Sequence, residues 1–301
     1  MKLLSFRADG DARLGLLTGG KIVDVCNASM YLFKDSIPSD MLSFLDEGES
    51  AMTKVKRIEE VAQERWESLC STSNIVFDGS KVEVLAPIPR PRKNVICLGL
   101  NYAEHSEETG LSVPKYPIFF TKPPTSIIGP DAPLLFPKST DKVDFEAELA
   151  FVFGRRGKDV REDEAYNYLA GYTVFNDVSA RDLQRRHGQW FKGKSLDAFA
   201  PMGPYLVTRD EVPDPHDLEI SLELNGAVMQ KANTRDMLFK IPTLIKFITM
   251  DMTVEPGDIV ATGTPSGVGF TRKPPVYLQP GDIVKVSIEK VGVLQNRVVS
   301  G

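Results

Sequence analysis

The feature that most constrains this chain is a succession of short β-type runs in its second part: NVICLGL, PIFFTK, AELAFVFG, AGYTVFND, GPYLVT, LEISLELNG, DIVATG and DIVKVSIE. Each is rich in apolar or β-branched residues and is bounded by Gly, Pro, Asn or Asp. Runs of that kind predict a mostly β domain with a few helices. Ahead of them stands Pro87-Ile88-Pro89-Arg90-Pro91-Arg92. Fixed proline φ and restricted preceding residues make this a stiff extended connector. It places a domain boundary between residues 86 and 87, giving domains 1–86 and 87–301. The leading segment opens with MKLLSFRA, RLGLL and KIVDV, separated by DGDA and TGG, a small antiparallel unit. From Asp40 to Trp66, the spacing of Leu42, Phe44, Leu45, Met52, Val55, Ile58 and Val61 predicts helix, broken in two at Gly48. A short strand-like KVEVLAPI follows. The fold class is therefore mixed and mainly β, with a small α+β N-terminal domain. The recurrence of Pro-Gly-Asp-Ile-Val at 256–260 and 280–284 reads as similar turn chemistry before two strands, not as a repeat protein.

Charge narrows the partners. With a net charge of -5 and no long basic run, the chain lacks the footprint of a nucleic-acid binder. The N-terminal apolar stretch is too short for a signal peptide, and no run reaches membrane-span length, so a cytoplasmic protein is expected. Cys26, Cys70 and Cys97 are far apart and lack CxxC spacing, which argues against a disulfide framework or a thiolate zinc site. They are expected to be buried small hydrophobes. His105, His187 and His216 are scattered, and His216, in the Pro213-Asp214-Pro215 loop, is expected to be exposed.

The most informative segment is Asp144-Phe145-Glu146-Ala147-Glu148 and its apolar continuation. In a strand, period-two geometry sends the three acids to one face. Such a face is either solvated or neutralised by a cation. Asp177 ends the apolar run GYTVFND, and Ser179 is a candidate cap for a helix carrying Arg181, Asp182 and Gln184. Read alone, Asp177 is a turn residue and Arg181 a surface charge. Oxygen ligands without clustered thiolates or histidines select a hard cation, Mg²⁺ or Mn²⁺. A competing motif is Gly188-Gln189-Trp190-Phe191-Lys192-Gly193-Lys194-Ser195, which fits the phosphate-loop pattern GxxxxGK[ST]. A phosphate loop follows a buried strand and opens a helix. This one follows a basic helix-like stretch and leads into a poor helix start, so a nucleotide binder is the weaker reading.

Taken in order, GLNYAEH, DFEAELAFVFG, GYTVFNDVSARDLQ, GKSLDAFAPMGP, TRDMLFKIPTLI and PGDIVATGTPSGVG resemble the fumarylacetoacetate hydrolase family from about Asn94 to Asn296. Residues 1–86 resemble the smaller N-terminal domain of bacterial two-domain members. The resemblance implies a β-sandwich roll for the C-terminal domain and a homodimer. It also implies a small 2-oxo acid substrate chelated by Mg²⁺ or Mn²⁺ through its keto and carboxylate oxygens. Carried over by position, Glu146, Glu148 and Asp177 are the metal ligands, with Asp144 behind them or exposed. Lys194 is the active-site lysine, displacing the phosphate-loop reading. Gln184, Arg181 and Thr264 match substrate-binding positions, and His105 with Glu108 matches a His-xx-Glu pair that activates water in hydrolytic members. The implied reaction is C–C bond cleavage of an acylpyruvate, fumarylpyruvate or oxaloacetate through an enolate. The alternative is isomerisation or tautomerisation of an oxaloacetate- or hydroxymuconate-type dicarboxylate. A purely binding or regulatory role is a third reading. The segment from Glu107 to Pro117 is expected to form a lid.

Overall fold

The computed structural model describes residues 1–186 and 188–301, so His187 lies outside the described residues. The expected β runs assemble mainly into two sheets. In the larger sheet, the path runs Val76–Phe77, Lys21–Asp24, Asp11–Thr18, Lys2–Ala8, Ala200–Thr208, Leu169–Asn176, Ala147–Phe153, Ile259–Ala261, Val95–Gly99 and Ile118–Lys122. The smaller sheet runs Ala227–Asn233, Glu219–Leu224, Ile283–Ile288, Gly292–Ser300 and Leu134–Phe136. The sheets share one core, in which Leu149, Phe151, Phe153 and Val174 meet Leu222, Val284, Val286 and Leu294. This is the mainly β, sandwich-like fold that the sequence predicts.

The opening hairpins follow from their turns. Ala8 pairs with Asp11, leaving Asp9-Gly10 as a two-residue loop in which both φ angles are positive, at 53° and 92°. That is the aspartate-glycine chemistry a tight hairpin selects. The strand predicted over KIVDV stops at Asp24, where the carboxylate accepts from the Asn27 N–H and starts a helix, Val25–Phe33, that the sequence reading does not contain. Helices Met41–Glu47 and Glu49–Glu64 appear on either side of Gly48 as expected. The larger sheet crosses the proposed boundary at residue 87, because Lys2 and Leu3 pair with Val207 and Leu206.

The strand Ala147–Phe153 shows why its sequence is almost uniformly apolar. Its odd-numbered side chains enter the core between the sheets, whereas Ala150 and Val152 enter a second core with Phe44, Val55 and Ile58 of the N-terminal helices. Both faces are covered, so alternation of apolar and polar residues disappears.

Three local expectations are corrected. Only Cys97 is buried; Cys26 is half-buried, and Cys70 is exposed on the helix Trp66–Ser71, which buries Leu69 alone. His216 is not a free surface ring. Its Nε2 accepts from the Ile241 N–H at 3.1 Å, capping the start of the helix Ile241–Thr249, and Nδ1 lies 3.4 Å from the Tyr166 hydroxyl. Ser179 lies in a two-residue strand and caps no helix; its hydroxyl donates back to the Asp177 carbonyl at 2.9 Å.

Candidate metal centre and cleft

The acidic segment is not one continuous strand. Val143–Asp144 forms a short strand, Phe145 and Glu146 interrupt it, and Ala147–Phe153 resumes. The interruption turns Asp144 away from the other two acids. Asp144 is fully buried and accepts from the Arg181 Nε–H at 2.8 Å and from the N–H groups of Gly269 and Phe270 at 2.8 and 3.0 Å. Glu146 is held at the break by its own N–H, which donates to the Asn176 side chain at 3.0 Å. Because Ala147 and Glu148 pair with Asn176 and Phe175, Asp177 stands at the end of the adjacent strand. Oxygens of Glu146, Glu148 and Asp177 consequently lie within 4.8 Å of one another, all three residues buried.

Cations surround this cluster unequally. Lys194 Nζ donates to Glu146 and Asp177, each at 2.8 Å, and Arg181 Nη1 reaches Glu146 at 2.7 Å. Burial acts to raise the Glu146 carboxyl, but Lys194 and Arg181 outweigh it and hold the pKa at about 2. Glu148 has no such partner. Burial, and then the charges of Asp177 and Glu146, push its pKa well above the ordinary range. One oxygen, Oε2, accepts from the Gly263 N–H at 2.8 Å, while the buried Oε1 has no hydrogen-bond partner among the described residues. An orphaned buried carboxylate oxygen inside a three-acid cluster fits a divalent cation, which would satisfy the oxygen and cancel the repulsion.

Lys122, which the sequence reading passed over, completes the arrangement. It is fully buried and donates to Asp177 Oδ1 at 2.5 Å and to the Val178 carbonyl at 3.0 Å. Burial lowers its pKa, with Asp177 opposing that fall. Its only sequence signal is a lysine closing the apolar strand IFFTK, where a charge would ordinarily face water. Gln230 is also absent from the sequence-based site. Its amide donates to Thr264 Oγ1 and to the Pro265 carbonyl, both at 2.8 Å, fixing the threonine.

A cleft of about 460 Å³ adjoins the cluster and is bordered by Glu146, Arg181, Gln184, Lys194, Thr264 and His105, among others. The predicted site residues Glu148 and Asp177 lie beneath this surface, and Glu108 reaches it through His105. His105 Nδ1 lies 2.8 Å from Glu108 Oε1, a contact that does not occupy Nε2, and the residue borders the cleft. Glu108 Oε2 accepts from the Gly267 N–H and the Thr271 hydroxyl, each at 3.0 Å. Burial raises the Glu108 carboxyl, yet its bonds to His105 and Gly267 bring the pKa below the ordinary value. Within the segment expected to form a lid, Thr109 and Leu111 border the cleft, and Leu111 is 50% exposed.

The phosphate-loop reading fails on geometry. Residues 188–195 include only the four-residue helix Phe191–Lys194, and Lys194 is engaged by carboxylates. Gly193 has a packing reason: a Cβ there would lie 2.4 Å from the Gln184 nitrogen and 2.7 Å from the Ala180 carbonyl oxygen. The glycine lets the Lys194 segment lie flat against the helix Arg181–Arg186.

Comparison with known proteins places the chain in a family. The family described as fumarylacetoacetate (FAA) hydrolase C-terminal matches residues 94–299. The mitochondrial oxaloacetate tautomerase Fahd2a of Rattus norvegicus is 43% identical over 99% of this chain and 92% of its own length. A fumarylacetoacetate hydrolase from psychrophilic Exiguobacterium antarcticum superimposes with a TM-score of 0.82 at 37% identity, covering 100% of both chains. A maleylpyruvate hydrolase from Sphingobium sp. SYK-6, solved with manganese(II) and pyruvate, gives 0.76 at 29% identity, covering 100% of both chains.

Proposed function

The chain belongs to the fumarylacetoacetate hydrolase family, an enzyme family, and on that premise we propose that it interconverts the keto and enol forms of oxaloacetate, or of a close 2-oxo dicarboxylate, at a Mg²⁺ or Mn²⁺ centre. The ligands are Glu146, Glu148 and Asp177. The observation that carries this reading is the pairing of that buried triad, with its orphaned Glu148 oxygen, and a carboxylate-held imidazole bordering the same cleft. The tautomerase activity named for the rat relative supports this branch of the chemistry.

A divalent cation in the triad would act as a Lewis acid on the 2-keto oxygen of a chelated substrate. The residues of the chain supply the rest. His105 Nε2 accepts a proton from C3, whose C–H electron pair becomes the C2–C3 double bond as negative charge moves to the C2 oxygen. Glu108 holds the imidazole through Nδ1 and stabilises it when it is protonated. The Lys194 ammonium lies against two of the ligands, next to where the oxygen charge develops. Transfer of the proton held on His105 Nε2 to that oxygen completes the enol and restores the neutral base. Thr264 and Gln184 orient the substrate.

C–C cleavage, the first choice from sequence, uses the same enolate. In decarboxylation, the C3–C4 pair rather than the C3–H pair flows toward C2. In acylpyruvate hydrolysis, His105 activates a water. The homodimer and the cytoplasmic location belong to this proposal as well. Among the described residues, no helix is long and apolar enough to cross a membrane.

The test follows enol-to-ketone conversion of oxaloacetate by absorbance, and pyruvate formation in parallel, with metal-stripped and Mn²⁺-loaded protein. Metal-dependent tautomerisation that is lost in His105→Ala and in Glu148→Gln supports the reading. Tautomerisation at the uncatalysed rate, with pyruvate released in a His105-dependent manner, would transfer the assignment to C–C cleavage.

A further inference from the structure

The helix Arg181–Arg186 carries a second guanidinium that the chemistry above does not use. Arg181 is largely saturated: Nε serves Asp144, and Nη1 serves Glu146 and, at 3.2 Å, the side-chain oxygen Oε1 of Gln184. Its Nη2 is buried and has no hydrogen-bond partner among the described residues, although the residue borders the cleft. One turn further along lies Arg185, on the same helix face by i,i+4 spacing. The Arg181 and Arg185 guanidinium carbons lie 4.5 and 5.0 Å from the centroid of one ring, that of Phe270. Phe270 is anchored in turn by its N–H to Asp144. Arg186 is within salt-bridge reach of Asp182 at 3.8 Å, whereas Arg185 makes no ion pair among the described residues. Arg185 and Phe270 both border the cleft, and Glu146 is the one acid among its lining residues.

An aromatic face holds a guanidinium by its flat side and leaves its N–H edges free to bind a carboxylate. Two guanidiniums on one ring, one with an orphaned donor and one without an ion-pair partner, make a receptor for an anion at the end of the cleft. A 2-oxo acid chelated through C1 and C2 has only its C3 substituent left to extend outward. In a 2-oxo dicarboxylate that substituent ends in a second carboxylate; in pyruvate it is a methyl group. We propose that Arg185, with the free Nη2 of Arg181, binds the distal carboxylate and makes the cleft selective for 2-oxo dicarboxylates over monocarboxylates. The proposal rests on the chelated 2-oxo acid of the preceding subsection.

The experiment is calorimetric titration of Mn²⁺-loaded wild type, Arg185→Gln and Arg185→Lys with oxaloacetate and with pyruvate, alongside wild-type turnover. Loss of a charge-assisted contact should weaken oxaloacetate binding by about tenfold to hundredfold in Arg185→Gln. Pyruvate affinity should change less than about threefold. Arg185→Lys, which retains charge without the planar fork, should fall between. Equal weakening of both ligands, or no weakening of either, would overturn the assignment. If the variants show this contrast but wild type does not tautomerise oxaloacetate, the proposed reaction fails and the specificity assignment stands. Turnover without the contrast has the opposite meaning.

Discussion

Replacing Asp144 by alanine removes a carboxylate that touches no substrate in the proposed mechanism yet ties three segments together. The side chain is fully buried and neutralises Arg181 through Nε. It also accepts the N–H groups of Gly269 and Phe270, which turn the loop following Thr264. Breaking a buried ion pair from one side costs about 3–5 kcal/mol, because the partner charge stays buried. Arg181 keeps Glu146, which places this contribution at the lower end, about 3 kcal/mol. Three backbone donors, the N–H groups of Phe145, Gly269 and Phe270, are left without this acceptor, and each adds about 1–3 kcal/mol where water does not enter. Water entering the space left by the side chain offsets most of the donor contribution, so a total loss of about 4 kcal/mol is expected. At a urea dependence of about 3 kcal/mol per molar, the unfolding midpoint should fall by roughly 1.3 M. Equilibrium urea unfolding followed by tryptophan fluorescence measures this, with the exposed neighbour Asp141→Ala as a control expected within about 0.5 kcal/mol of wild type. A midpoint shift for Asp144→Ala below about 0.3 M, near 1 kcal/mol, would refute the view that this carboxylate holds the loop.

Other consequences can be checked with the same preparations. Burial, and then the nearby Lys240, lowers the His216 pKa to about 4 from its ordinary 6.5. The native state therefore binds fewer protons there than the unfolded chain, and stability falls as pH drops through that window. Solvent screening of a half-buried ring limits the loss to about 1–2 kcal/mol. Urea midpoints at pH 7 and pH 4 should differ less in His216→Gln, and identical differences would count against this role. Gly193→Ala forces a Cβ against the Gln184 backbone and should cost about 1–3 kcal/mol, read as a lower thermal midpoint. Stripping divalent metal should lower the thermal midpoint, and Mn²⁺ at one hundred times its Kd should restore about 2.7 kcal/mol. That recovery should be absent in Glu148→Gln, and its persistence would remove Glu148 from the ligand set.

The parts of the fold that were legible in the sequence are those where one local force dominates. The Asp9-Gly10 hairpin, the Gly48 helix break and the β runs depend on turn chemistry and short-range pattern. The helix Val25–Phe33 was hidden because its first residues, Val25 and Cys26, continue the β-type character of KIVDV, and only the Asp24 cap marks the change. In the site, period-two reasoning grouped Asp144 with Glu146 and Glu148, but it could not show the interruption at Phe145 and Glu146 that sends Asp144 toward Arg181. The acids and Lys194 were found through motif order over two hundred residues. Lys122 was not, since a buried counter-ion 55 residues from its partner has no local signature. His216 shows the same limit: a loop histidine looks exposed until the helix it caps is in place.

The bonds of Glu108 reach both ways. One oxygen holds His105 on its own helix, and the other grips Gly267 and Thr271 across the cleft wall. A carboxylate used in this fashion is a latch as well as an orienting group. If the helix Ala103–Thr109 lifts to admit substrate, the latch must release, and the imidazole loses the alignment that makes it a useful base. Were it to lift, proton transfer would be restricted to the interval when Glu108 holds both sides. A ligand that merely props the helix open would slow turnover without approaching the metal ligands.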